Sequence, residues 1–266
     1  MSVYNLGKPR RAVRPSPLFL VVVAVTVLGG LLAWTESDAG SRLGDFGVFL
    51  FVLGGWVVSL CFHEFAHAYA AYRAGDRSVE AAGYLTLNPF RYAHPVLSII
   101  LPLFFIVQGG IGLPGGAVYL HQHTFRTKAA RSAAAAAGPL TNVVFAVVLI
   151  FLAKNHEGAG AEHLRFWSGL AFLGLLQVTA AVLNLVPIPG LDGWAIIEPY
   201  LDPQIRHGAD KIKPWGMIIV ILLLQIDRLN AWFFDIVNRL YESTGAHAGF
   251  ASFGYAFFKF WVKNPL

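Results

Sequence analysis

Long apolar runs alternate along this chain with short polar or glycine- and proline-rich breaks. The runs fall at roughly 17–34, 46–72, 95–113, 132–153, 166–187 and 214–237, most of them near the length of about twenty residues that a bilayer-crossing helix needs. The run at 95–113 differs from the rest. It contains Pro102 and closes on Gly109-Gly110-Ile111-Gly112-Leu113-Pro114-Gly115-Gly116, residues that break a straight helix. Arg91 precedes it, and Arg126, Lys128 and Arg131 follow. Basic residues mark the cytoplasmic side of membrane segments, so this run is predicted to enter the bilayer and return. Gly83-Tyr84-Leu85-Thr86-Leu87-Asn88-Pro89 and Gly116-Ala117-Val118-Tyr119-Leu120 alternate only in part, and they predict short β-strands near the cytoplasmic face. The pattern predicts an all-α polytopic membrane protein with about five to six transmembrane helices and a re-entrant hairpin.

Polar residues inside the runs carry the chemistry. Between Phe46 and Ala71 the only imidazole or charged side chains are His63, Glu64 and His67. Ionisable groups are costly at this depth and mark function by default. On a helix, His63 and His67 are four residues apart on one face and can grip one metal ion. Glu64 is rotated by about 100° from His63, within reach of a water at that metal without being a ligand itself. Without a metal, a carboxylate between two histidines in hydrocarbon would cost several kcal/mol.

Composition and charge narrow the class. The chain is 56% hydrophobic and 13% charged, which excludes an ordinary soluble globule. The net charge of +5 reads as cytoplasmic loops, and no basic patch with interleaved aromatics supports nucleic-acid binding. Lys8, Arg10, Arg11 and Arg14 precede the first run, with no Ala-x-Ala-like site after it. This predicts a retained anchor with the N-terminus in the cytoplasm. The lone Cys61 cannot form an internal disulfide. The expected organisation is an anchor and outer loop over 1–45, a core over 46–200, and a last crossing with an amphipathic tail over 201–266. Aromatics over 250–262, with Lys259 and Lys263, suit a membrane interface or an oligomer contact.

With 95–113 re-entrant, 166–187 is the fourth crossing and ends on the cytoplasmic side at Asn184-Leu185-Val186-Pro187-Ile188-Pro189-Gly190-Leu191-Asp192-Gly193. Prolines and glycines break the helix there, and Asp192 arrives at the depth of the two histidines. Re-entry of 95–113 and a three-ligand site require each other, because a full crossing would put Asp192 on the opposite face. The competing reading makes Asp192 an N-cap of the helix that follows.

His63-Glu64-x-x-His67 together with Asn184-x-x-Pro187-x-Pro189-Gly190-Leu191-Asp192-Gly193 resembles the site-2 protease family of intramembrane zinc metalloproteases. Ala137-Gly138-Pro139-Leu140-Thr141-Asn142 looks like that family's motif on the intervening helix, and 83–89 resembles its short bacterial branch. No inserted stretch is long enough for a PDZ domain, and no CBS domain follows. Where that branch commonly has a histidine and an aspartate, this chain has Tyr92 and His94, so no role carries over there. The resemblance implies one Zn2+ held by His63, His67 and Asp192, with Glu64 as general base. It also implies substrate or oxyanion contacts from Asn142 and Asn184. Helix–helix hydrogen bonding is the competing role for Asn142. The implied partners are membrane lipid and a transmembrane protein substrate whose helix unwinds for cleavage, with strand addition at 83–88 or 116–120 as a way to hold it.

Alternatives stand beside this reading. A zinc-binding transporter or sensor would use the same ligands, but has no evident need of Glu64 as a base. A catalytically inactive relative that only binds helices would not require intact motifs. A different membrane protease architecture would take a downstream glutamate as third ligand, for which Glu198 is the candidate. His121-x-His123 reads as solvated loop residues more readily than as a second metal pair.

Overall fold

The computed structural model describes residues 13–36, 38, 40–92, 125, 127–158 and 162–262. Helix α1 (Pro17–Thr35) begins where the Ser16 hydroxyl accepts the Phe19 N–H and Pro17 takes the first helical position, both favourable at a helix start. Ser41 caps α2 (Arg42–Arg73) by accepting the Gly44 N–H at 3.1 Å. The two helices touch backbone to backbone. A methyl at Gly29 would lie 2.8 Å from Leu50 Cβ, and one at Gly47 would lie 2.7 Å from Leu32 Cβ. Only glycine fits at that approach, which is how helices pack without a hydrophobic drive between them.

At the end of α2 the chain forms α3 (Ser78–Ala81), a 3-10 turn over Tyr84–Thr86, and α4 (Pro89–Tyr92). The strand expected over 83–88 does not form. Gly83 and Leu87 take left-handed φ values of 78° and 53°, and the Thr86 hydroxyl donates to the Gly83 carbonyl at 2.7 Å, so the segment coils. Its Leu85 and Thr86 carbonyls accept the backbone N–H groups of Arg14 and Ser16, tying the start of α1 to the end of α2. No strand occurs among the described residues. The run at 95–113 and the strand expected at 116–120 lie outside them. The residues flanking that stretch share one end of the bundle, since Phe125 packs on Ala68, Ala71, Val79 and Leu85.

Helix α5 (Lys128–Lys154), capped by Thr127, turns a narrow seam inward. Ala134, Gly138, Asn142, Ala146, Ile150 and Ala153 are buried, while Leu140, Val144, Val147 and Phe151 are exposed. An apolar outer face of this kind is what lipid requires. Helix α6 (Leu164–Leu185) is enclosed by its neighbours, and the main core forms where α2, α5 and α6 meet. After it come α7 (Asp192–Ile197), a 3-10 turn over Glu198–Tyr200, α8 (Pro203–Asp210) and a 3-10 turn over Lys213–Trp215. The last elements are α9 (Gly216–Leu224), α10 (Asp227–Glu242) and α11 (Ala248–Phe258).

Among the described residues four helices, α1, α2, α5 and α6, are long and apolar enough to cross a membrane, and α9 with α10 makes a fifth if counted as one broken span. The continuous last crossing expected over 214–237 is therefore bent, by 97°. Ile226 is extended, Asp227 opens a new helix, and Asn230 Nδ2 donates to the Leu224 carbonyl at 3.0 Å, so the break leaves that backbone group paired. The aromatic tail expected at the interface is α11, which buries Phe250, Phe257 and Phe258 against α6 and α2. Its eleven residues carry no charge, so no face of it demands water.

Candidate metal centre

His63 and His67 sit one turn apart near the end of α2, with ring centroids 4.7 Å apart. Asp192 reaches them from beyond α6. Val186 turns extended ahead of Pro187, ending α6, as a residue before proline favours. The chain then doubles back so tightly that a methyl at Gly193 would strike the Leu185 carbonyl. Helix α7 begins at Asp192 itself, with no side-chain cap bond, so the N-cap reading does not hold. Asp192 Oδ2 lies 3.2 Å from His63 Nε2 and 3.3 Å from His67 Nε2, and the two Nε2 atoms are 3.1 Å apart.

Helix α5 supplies the third wall. The His67 Nδ1–H donates to the Ala134 carbonyl at 2.7 Å, an acceptor only, so its Nε2 carries a lone pair. The His63 Nδ1–H donates to Asn142 Oδ1. A methyl at Gly138 would lie 2.6 Å from His63 Nε2 and closer still to His67 Nε2. The space beside the donor atoms is kept open by that missing side chain.

Glu64, 2% exposed, lines a cavity of about 40 Å³ together with Trp56, His63, Asn142, Asn184 and Asp192. That is room for water, since one molecule needs roughly 10–15 Å³ on this measure. Asn142, expected toward substrate, spends its carbonyl on His63 and donates from Nδ2 to Gln177 Oε1 at 2.8 Å. It bridges α2, α5 and α6. Glu198 accepts from Arg131 at 2.9 Å and Lys213 at 2.6 Å, while Ser132 Oγ donates to the Ile196 carbonyl at 2.6 Å. Those bonds clamp α7 onto α5, and they place Glu198 outside the donor group formed by His63, His67 and Asp192.

Ser59 and Gln177 border this centre without a place in any motif, and Gly138 does so from within the motif at 137–142. Ser59 and Gln177 are polar residues inside apolar runs, and that was the available signal. His156 and His163 stack on Trp167 and Trp34 at the other end of the bundle. His94, His121 and His123 lie outside the described residues.

The donor set suits a metal. Ligands roughly 2.0–2.1 Å from a tetrahedral zinc lie about 3.3 Å from one another, and the observed separations are 3.1–3.3 Å. Two imidazole nitrogens and one carboxylate oxygen leave a fourth position open, as a catalytic site requires. Lone pairs aimed at one point repel unless a cation lies between them.

This centre, on a bundle of membrane-length helices, has the make-up of a membrane-embedded metal-dependent hydrolase. The chain is 49% identical over 257 residues to a protein of Mycolicibacterium smegmatis named "Putative zinc metalloprotease Rip2", covering 97% of this chain and 98% of that one. It is 45% identical over 252 residues to the Rip2 protein of Mycobacterium tuberculosis, covering 95% and 96%. Identity to YwhC of Bacillus subtilis, also named as a zinc metalloprotease, is 31% over 172 residues, or 63% of this chain and 76% of the relative. No family model and no solved structure matches the chain. The chain belongs to the site-2 protease family of zinc metalloproteases. It is a multi-pass membrane protein, and its metal is zinc.

Proposed function

We propose that the chain is an endopeptidase of the His-Glu-x-x-His type that cuts a transmembrane protein within or near its membrane helix. The observation that carries this reading is the convergence of His63, His67 and Asp192 on one point, with Glu64 beside it in a water-sized cavity. His63, His67 and Asp192 are the zinc ligands. Zinc supplies a Lewis acid for the attacking water and the scissile carbonyl. Glu64 takes the proton from the attacking water and returns it to the departing amine. Asn184, buried and lining the same cavity, presents its amide to the substrate carbonyl, while Asn142 holds His63 in place. The substrate helix unwinds locally, because a helical carbonyl is sequestered in its backbone ladder. The enzyme lies in a bacterial cell membrane with its N-terminus and the zinc end of the bundle toward the cytoplasm, which the flanking basic residues support.

Glu64→Gln tests the assignment. The substitution keeps size and leaves all three ligands, so zinc content should stay near wild type. Cleavage of a transmembrane substrate in liposomes should fall by about 10²–10⁴-fold, the usual range for a general base. Equal cleavage by this variant and wild type would remove the catalytic assignment.

A further inference from the structure

We propose that Gln177 and Ser59 are positioning residues for the zinc centre, acting through Asn142 to fix which ring nitrogen of His63 carries the proton. This rests on His63 being a ligand, as read above.

The direction of the relay is set at its far end. The Trp56 backbone carbonyl can only accept. Ser59 Oγ donates to it at 2.8 Å, which commits the single hydroxyl hydrogen. Ser59 can then only accept from Gln177, whose Nε2 lies 2.8 Å away. That turns Gln177 Oε1 toward Asn142, whose Nδ2 donates to it at 2.8 Å. Asn142 is left with its carbonyl oxygen facing His63 Nδ1. A carbonyl demands a donor, so the imidazole proton resides on Nδ1 and the lone pair on Nε2, beside His67 and Asp192.

Reversing the chain shows what is at stake. If Gln177 presented its amide nitrogen to Asn142, Asn142 would present its own to His63 Nδ1. The proton would then move to Nε2, and that nitrogen could not bind a metal. Little solvent reaches the relay: Gln177 at its middle is 0% exposed and stands back from the water-sized cavity, and Ser59 and Asn142, which border that cavity, are 4% exposed. A buried polar network is costly unless every member is paired. Four consecutive bonds thus connect α2 to itself through α5 and α6, ending on a candidate zinc ligand. His67 needs no such device, because a backbone carbonyl already fixes it.

The test uses the full-length protein in detergent, stripped of zinc, with zinc affinity measured by chelator competition and thermal unfolding followed without metal. Gln177→Met keeps length and apolar bulk but breaks the relay on both sides. It should weaken zinc binding by about 10–100-fold, the range for groups that orient a ligating histidine. Gln177→Glu keeps an acceptor facing Asn142, and should hold zinc near wild type. A purely packing role predicts the reverse order, because methionine suits an apolar interior and a buried carboxyl does not. Zinc binding in Gln177→Met as tight as wild type, or in Gln177→Glu as weak as in Gln177→Met, overturns the proposal. Should the methionine variant fail to fold, Ser59→Ala takes its place: it removes one oxygen at the end that sets polarity, and weakened zinc binding is expected. Unchanged affinity there rejects the relay. His63→Ala serves as the control. Loss of zinc in it, with Gln177→Met unaffected, rejects the relay alone, whereas retention of zinc rejects His63 as a ligand.

Discussion

Two opposing effects meet at Gly138. Alanine is the better helix former by about 1 kcal/mol, so in an open helix the substitution would stabilise. Here the added methyl would press on the Nε2 atoms of both histidines, and overpacking of that kind costs about 1–3 kcal/mol. Gly138→Ala is therefore expected to displace the imidazoles and weaken zinc binding by about 10–100-fold, the range seen when ligand orientation fails. Chelator competition on the purified variant checks this. Wild-type zinc affinity together with a higher unfolding temperature would show that the clash is relieved cheaply. His63, Glu64 and His67 could be read from sequence because charge-bearing groups stand out in an apolar run. Gly138 was visible only inside a resembling motif. Its reason, the closeness of α5 to α2, exists only after folding. Ser59 and Gln177 are 118 positions apart in the chain, and no local spacing announces such a pair.

Helix positions followed the apolar runs because twenty apolar residues in lipid have few alternatives to a helix. Short segments were less legible. Residues 83–88 have the β-favouring side chains of a strand, yet left-handed Gly83 and Leu87 coil them, a backbone choice that composition does not reveal. The last crossing breaks at Gln225–Arg228 for a related reason: the length and composition of 214–237 suit one helix, whereas Asp227 starts another. The ends of the elements give a direct prediction. Thr127 and Asp210 lie at the zinc end, while Asn155 lies at the other end, where Lys154 Nζ donates to the Thr244 carbonyl. Thr127→Cys and Asp210→Cys should accept an impermeant thiol reagent only from the cytoplasm. Asn155→Cys and Ser243→Cys should accept it only from outside, against the buried native Cys61. External labelling at Thr127→Cys would contradict the proposed orientation.

For the molecule as a whole, the 32 residues of α2 make a rod of about 48 Å, against a hydrocarbon layer of about 30 Å. The apolar stretch of that rod starts at Phe46, so His63 lies about 26 Å further along it. In the proposed orientation, His63 and His67 then sit a few ångströms inside the cytoplasmic boundary of an average bilayer. Their depth follows from where the rod is anchored and how thick the lipid is, quantities the protein does not fully control. Thickening the bilayer sinks the centre away from water, which is a reactant; tilting of the rod offsets this only in part. Cleavage in long-chain phosphatidylcholine liposomes should therefore be slower than in short-chain ones at equal zinc content. Equal rates would mean that water reaches Glu64 by a path of its own. If the rates differ, acyl-chain length is a rheostat for this hydrolysis, and any change that alters membrane thickness adjusts the enzyme without touching a residue of it.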